Sequence, residues 1–280
     1  MISSILCINS NTGPMAQQGF GDSIMFVRFI DDLKKRCGKI SLVVQNGLID
    51  LFESSKLDVD IYKESDLNNI NYDYYIPMMD LPIVCETQYD MIPKTDGYLR
   101  VSKTKINAYR KKYINNNEKL KIGIAFEGTA ASKETDRDIP LEFLYPLMRM
   151  PEVEIYSFQV DDLSRQMDRV PSDCNLIRLG KTFSNWEDTA CAMNCMDLMV
   201  TTDNGVMNLA GALGIKTFGL FNTIVEWRWF KTQGEDIGWY KSIKPFQCPT
   251  SKAWNVPVEK VIEEIQKEQC KRIAKKIKGF

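Results

Sequence analysis

The feature that most constrains this chain is an alternation of short apolar runs with segments of helical period, which starts, stops and starts again. Residues 5–8 form an apolar run, then a polar loop, then a helix-period stretch over 22–36 in which Ile24, Val27, Ile30 and Leu33 recur at every third position. Strand-like runs follow at 40–44, 58–62 and 74–77. Short buried strands that alternate with helices predict a parallel sheet covered on both faces. A polar stretch over 103–120, with Asn115, Asn116 and Asn117 near its end, reads as a linking helix. The rhythm then resumes with strands predicted at 121–126, 153–158, 176–179, 198–201 and 217–220, and helices near 141–148, 186–195 and 205–213. The expected architecture is therefore α/β, with two doubly wound parallel-sheet domains. The first spans 1–112 and the second 113–262. A basic terminal helix over 263–280 either is solvated or packs back on the first domain.

Length and composition fit that reading. In a chain of 280 residues, 44% hydrophobic and 26% charged, each half can build its own core. The net charge of −1 gives no field for nucleic acid. The chain has no histidine. That removes Ser-His-Asp and Cys-His nucleophiles and imidazole metal ligands, and leaves proton transfer to Asp, Glu, Lys, Tyr or Cys. The eight cysteines, Cys7, Cys37, Cys85, Cys174, Cys191, Cys195, Cys248 and Cys270, make no CxxC pair, and several sit in apolar runs. They are expected to be free, buried thiols in a reducing cytoplasm. The apolar start, MISSILCINSN, is shorter than a span of about 20 residues and lacks a basic flank, so it is expected to be the first strand.

Two strand-to-helix turns carry candidate chemistry. The first is Gln17-Gln18-Gly19-Phe20-Gly21-Asp22. Its glycines let backbone approach a ligand, and Asp22 stands where open α/β sheets bind ligands. Ile24 occupies the place of the third glycine of a dinucleotide fingerprint, which argues against a dehydrogenase. The plain structural alternative is that Asp22 caps the helix. The second turn is Thr201-Thr202-Asp203-Asn204-Gly205, followed by small residues up to Leu213. It offers a helix start suited to an anion, or nothing beyond capping.

Together these segments resemble the heptosyltransferase-like glycosyltransferases of family nine, especially relatives fused to tetratricopeptide repeats. QQGFGDSIMFVRFI is similar to the family's EQGxGDxIxFxRY opening, and GIAFEGTAASKETDRDIPLEFLYPL to its GxxWxG…RSIPLxxLxPL block. LVVQNGLIDLF, YSFQV, EDTACAMNCMDLMVTTDNGVMNLAGALG, EWRWF, WYKSI and KPFQ follow the family's order. The resemblance implies a GT-B fold, an inverting sugar transfer from a nucleotide-sugar, no cofactor, and a glycan, lipid-linked or protein acceptor. It implies Asp22 as catalytic base, beside Gly19 and Gly21. It implies Arg137, with Lys133 as alternative, as the phosphate-contacting cation, Asp203, Asn204, Gly205 and Asn208 as the phosphate cradle, and Arg228 in substrate binding. Asn204 replaces the family's usual Thr and Asn208 its usual His. An amide can donate to phosphate but carries no charge. A sugar epimerase and a non-catalytic nucleotide-sugar-binding protein remain alternatives. No repeat array is visible in these residues, so repeat-based partner recognition is not expected.

Other residues have competing readings. Glu127 follows an apolar strand and is a second candidate base. Asp136-Arg137-Asp138 spells DxD, a metal-binding pattern elsewhere, but it overlaps the family's RSIP position. Asp58-Val59-Asp60 spells it inside a predicted strand and is set aside. The tryptophans between Trp227 and Trp254 are core residues or, near Trp227, Arg228 and Trp229, a sugar-stacking platform. The last residues carry Lys271, Arg272, Lys275, Lys276 and Lys278. They suit a helix C-terminus, or a weak contact of a cytoplasmic protein with the inner membrane face.

Overall fold

The structure is a computed structural model that describes residues 2–8, 19–93, 97–128, 136–160, 165–229 and 237–278. Two parallel sheets organise it. The first contains β1 (Ile2–Ile8), β2 (Cys37–Val44), β3 (Asp60–Lys63) and β4 (Tyr74–Pro77), in the order β3-β2-β1-β4. Between these strands run α1 (Phe20–Phe26), α2 (Ile30–Lys34) and α3 (Ile49–Ser54); α4 (Leu81–Val84) and α5 (Lys103–Tyr113) follow. The second sheet contains β5 (Leu120–Ala125), β6 (Val153–Ser157), β7 (Leu176–Arg178), β8 (Leu198–Thr202), β9 (Thr217–Phe221) and β10 (Ile243–Gln247). Its order is β10-β9-β8-β5-β6-β7. Its helices are α6 (Tyr145–Met148), α7 (Trp186–Met193), α8 (Gly205–Leu213) and α9 (Asn255–Lys278). The expected fold class is what the structure shows.

The strands sit where apolar runs predict them, with corrections at weakly patterned places. β3 starts at Asp60 rather than 58, and β10 lies where the pattern predicts no strand. Lys244 and Pro245 interrupt its apolar run, and its pairing with β9 supplies what propensity does not. The single helix predicted over 22–36 is α1, a 3-10 turn at Val27–Phe29, and α2. The cause is competition for carbonyls: Tyr98 Oη donates to Ile24 O at 2.7 Å, and Arg28 Nε donates to Met25 O at 2.8 Å. Side chains that enter the ladder this way bend or tighten a helix. The terminal helix α9 runs unbroken over Asn255–Lys278. Val258, Val261 and Ile265 bury one face against the second sheet's outer core, and Arg272 pairs with Asp197 at 3.2 Å. The described part of α9 thus belongs with the second sheet.

Seven of the eight cysteines are buried free thiols; Cys270 is exposed. Burial pushes the Cys7 thiol up to about 12, so it behaves as a small apolar side chain. Among the described residues no helix is long and apolar enough to cross a membrane.

One core runs without interruption from the helices of the first sheet into α7, α8 and the inner face of the second. At its centre is Arg28, 6% exposed. Its guanidinium donates to Trp239 O at 2.6 Å and to Tyr98 Oη at 3.0 Å. It also lies 4.8, 5.2 and 4.4 Å from the ring centroids of Tyr98, Trp239 and Tyr240. Arg28 comes from the first sheet's helices, whereas Trp239 and Tyr240 come from the segment before β10. The cage therefore fastens one half to the other. Truncating Arg28 leaves buried carbonyls unpaired and opens a cavity, so Arg28→Ala should cost about 2–4 kcal/mol of unfolding free energy. Arg28→Lys should recover little of it, because an ammonium has neither the fork nor the stacking plane. Urea unfolding of the three proteins checks this; a loss below about 0.5 kcal/mol for the alanine variant would overturn it.

Candidate functional site

The site lies where the starts of α1 and α8 meet. Gly19 caps α1 in an extended conformation, and Asp22, in the first turn, folds back so that its Oδ2 accepts from Gly19 N at 2.9 Å. The capping alternative for Asp22 is therefore real, but it uses one oxygen. The helix starts can abut because two side chains are missing. A Cβ on Gly21 would lie 2.9 Å from Asn208 Nδ2 and 3.4 Å from Gly205 Cα; one on Gly205 would lie 2.8 Å from the Trp186 ring. Phe20 packs on that ring at 5.5 Å.

The close approach brings Asp22 to the segment after β9. Its Oδ1 is ion-paired with an Arg228 amino group. Arg228 Nε donates to Glu226 Oε2 at 2.6 Å, and Trp239 Nε1 donates to Arg228 O at 2.6 Å, which fixes the arginine backbone. Both members of the Asp22–Arg228 pair are mostly buried, with side-chain exposures of 16% and 17%. Burial raises the Asp22 carboxyl above its usual value of 3.8, and outweighs the opposing pull of Arg228. Asp203 follows β8 and is 7% exposed, paired with Arg137 at 3.2 Å. Burial raises its carboxyl too, against Arg137 and a hydrogen bond from Trp229.

The structure thus brings Gly19, Gly21, Asp22, Gly205 and Arg228 together, with the Asp203–Arg137 pair near enough for Asp203 to act on the Arg228 charge. It gives Asn204 and Asn208 other work. Asn204 Oδ1 accepts from Val206 N at 2.9 Å and Met207 N at 3.2 Å, so two of the helix's first N–H groups are capped from within. Asn208 is 8% exposed; its Oδ1 accepts from Tyr240 Oη at 2.9 Å, and its Nδ2 donates to Asn204 O at 3.4 Å and packs against Gly21. Spacing puts Asn204 and Asn208 on one face, but Asn204 turns to its own helix start and Asn208 to Tyr240 and Gly21. Lys133 lies outside the described residues. The carboxylates of the DxD have separate partners: Asp136 pairs with Lys252 at 3.0 Å, and Asp138 Oδ1 accepts from Gly128 N at 2.9 Å.

Sequence reasoning does not single out Glu226, Tyr240 or Trp239. Glu226 and Arg228 are two positions apart in EWRWF, and an acid that close to an arginine is the available signal. The tryptophans divide: Trp229, Trp239 and Trp254 are buried, while Trp227 is 61% exposed and flanks the Arg228 guanidinium at 5.7 Å.

No protein-family profile matches the chain. Protein FlbA of Caulobacter vibrioides is 21% identical over 270 residues, which cover 88% of this chain and 44% of that protein. The chain therefore spans less than half the length of that curated relative. Among solved structures, the E. coli ADP-heptose LPS heptosyltransferase II is 12% identical, with a TM-score of 0.64 over 95% of this chain and 98% of that one. The E. coli heptosyltransferase WaaC with ADP-2-deoxy-2-fluoro heptose is 11% identical, with a TM-score of 0.59 over 93% and 99%. The iron-containing heptosyltransferase TibC of enterotoxigenic E. coli, solved with ADP-D-beta-D-heptose, is 10% identical, with a TM-score of 0.57 over 95% of this chain and 77% of that one. At these identities the likeness establishes the fold: this chain has the two-sheet α/β arrangement of the GT-B heptosyltransferases.

The electrostatics can be checked without a substrate. The Asp22 carboxyl should titrate above 3.8, because burial is its largest influence. Arg228→Gln removes a group that holds it down, so the titration should move further up. Carbon-detected NMR of the Asp22 side chain in both proteins decides; a downward move in the variant would mean that the ion pair does not set this carboxyl.

Proposed function

We propose that this chain is an inverting glycosyltransferase that moves a sugar from a nucleotide-sugar to an acceptor hydroxyl, with Asp22 as the general base. The observation that carries the reading is the ion pair between the halves: a carboxylate from the first, raised by burial, held against an arginine from the second. The shared fold with solved heptosyltransferases, two of them bound to ADP-heptose or an analogue, supports a nucleotide-sugar donor. The finer placement, among relatives fused to tetratricopeptide repeats, rests on the ordered sequence motifs. The acceptor is a glycan, a lipid-linked sugar or a protein, and the site of action is the cytoplasm, with a weak contact to the inner membrane face.

In this mechanism Arg228 and Arg137 exchange their carboxylate partners for the donor's diphosphate. A guanidinium meets phosphate oxygens in the same fork that it offers a carboxylate. When Arg228 leaves Asp22, Oδ1 is free to take the acceptor proton while the acceptor oxygen attacks the anomeric carbon. The arginines meanwhile hold the charge that develops on the departing diphosphate. Oδ2 stays on Gly19 N, which fixes the direction of the carboxylate.

Asp22→Asn should lower transfer by about 10²–10⁴, the usual contribution of a general base, while donor binding persists. Turnover assays and calorimetry with the donor read these separately. Undiminished turnover would remove Asp22 from the mechanism. Intact donor binding with no transfer in the wild-type protein would favour the non-catalytic binding reading.

We also propose that the transfer needs no metal, because the arginines carry the charge compensation. Activity should then persist in excess EDTA. Loss with chelator, restored by manganese, magnesium or iron, would overturn that and reopen the roles of Asp136 and Asp138.

A further inference from the structure

Glu127 has no part in the mechanism above, yet its setting is unusual. The order of the second sheet reverses between β5 and β8: β6 and β7 extend it on one side of β5, and β8, β9 and β10 on the other. Ligands of open α/β sheets bind outside the carboxyl ends of strands at such a switch point. β5 and β8 pair as far as Ala125 and Thr201. Two residues on from that pair, the chain presents Glu127 from β5 and Asp203 from β8. Asp203 is paired with Arg137. Glu127 is 4% exposed, and its Oε1 is buried with no hydrogen-bond partner among the described residues. Its Oε2 accepts a bond of 3.3 Å from Gln166 Nε2.

The surroundings hold this residue in place rather than satisfy its carboxylate. Gln159 clamps the backbone: its Oε1 accepts from Phe126 N at 3.3 Å and Glu127 N at 3.2 Å, and its Nε2 donates to Glu127 O at 3.0 Å. Gln166 is oriented by Leu141 N, which donates to Gln166 Oε1 at 2.6 Å, so its amide nitrogen faces Glu127. A carboxylate accepts at about four lone-pair positions, and leaving them empty in the interior is costly. Such a group in a fold that could have placed a leucine there marks a site where a partner is missing.

We infer that Glu127 recognises the nucleoside half of the donor: its carboxylate accepts a hydrogen bond from a neutral O–H or N–H donor, either a ribose hydroxyl or an amino group of the base. The inference rests on the nucleotide-sugar reading. Oε1 is covered, so the carboxylate must turn toward the crevice to meet the ligand, and the long bond from Gln166 is the weak tether that such a turn gives up. The division of labour is then spatial. Asp203 and Arg137 stand at the end of β8, where the diphosphate is proposed to lie, and Glu127 stands one strand over on the β6 side.

The test uses Glu127→Gln. The substituted side chain keeps the shape but offers the ligand's O–H or N–H one neutral amide oxygen in place of a carboxylate, so the charge-assisted part of the bond is lost. Calorimetry with ADP, GDP, UDP and CDP, on wild type and variant, is paired with thermal unfolding of both without nucleotide. The inference expects the tightest binder to lose about tenfold or more in the variant. It also expects the unliganded variant to melt no lower than wild type, because an unpaired buried charge has been removed. The 2′-deoxy and 3′-deoxy forms of that nucleotide, and a form lacking the exocyclic amino group, identify the source. Whichever change weakens wild type but not the variant names the group that Glu127 contacts. Equal affinity in the two proteins would overturn the inference and leave the nucleotide reading standing. A lower melting temperature with unchanged affinity would make Glu127 structural. If wild type binds none of the four nucleotides, the nucleotide reading fails and this inference falls with it.

Discussion

Everything described at the cleft depends on how closely the two sheets' halves are held, and that closeness centres on Arg28. A buried guanidinium loses its hydration, and only fixed partners in several directions restore it. Here carbonyls from α1 and from the segment before β10, a phenol, and aromatic faces supply those partners. They are divided between the halves, so the guanidinium is satisfied only when the halves are together. The same group breaks α1 from α2 by drawing away the Met25 carbonyl. A local irregularity in the first half is thus the consequence of a long-range contact, and the polar group specifies the geometry that the surrounding apolar core makes stable.

The second constraint is steric. Gly21 and Gly205 let two helix starts touch, and Asn208 fills the remaining space with its oxygen on Tyr240. A helix start is often an anion site, but these two are partly consumed: Asn204 caps α8, and Asp22 and Gly19 close the first turn of α1 on themselves. What remains for a ligand at this cleft is charge carried by side chains, chiefly Arg228 and Arg137, both already on carboxylates. In the proposed mechanism a phosphate ligand would therefore bind here by exchange. Burial raises both Asp22 and Asp203, so a carboxylate that loses its arginine becomes an unpaired buried charge with a stronger pull on a proton.

That arrangement couples the reactants in the proposed mechanism. A base whose second oxygen is covered by an arginine is quiet until something of higher negative charge draws the arginine away. Donor binding and base exposure become one event, which suits a transferase that must not spend its donor on water. Trp227 is exposed and lies beside the same arginine.

The alternation of apolar runs determined the fold class without any tertiary information, because strands covered on both faces must be apolar throughout and the helices between them must carry one apolar stripe. Gly21 of the first turn was legible for a local reason too: backbone that approaches another surface closely cannot carry a side chain. The partners were not legible. Asp22 meets Arg228, 206 positions further along the chain, Asn208 faces Tyr240, and Glu127 and Asp203 follow neighbouring strand ends only because β5 and β8 pair across a reversal in strand order. Sequence spacing fixes which residues share a face of one element, whereas the choice of what that face meets is made by packing between elements. Burial, which decides whether a carboxylate is a cap, an ion-pair partner or a base, exists only once the chain has folded.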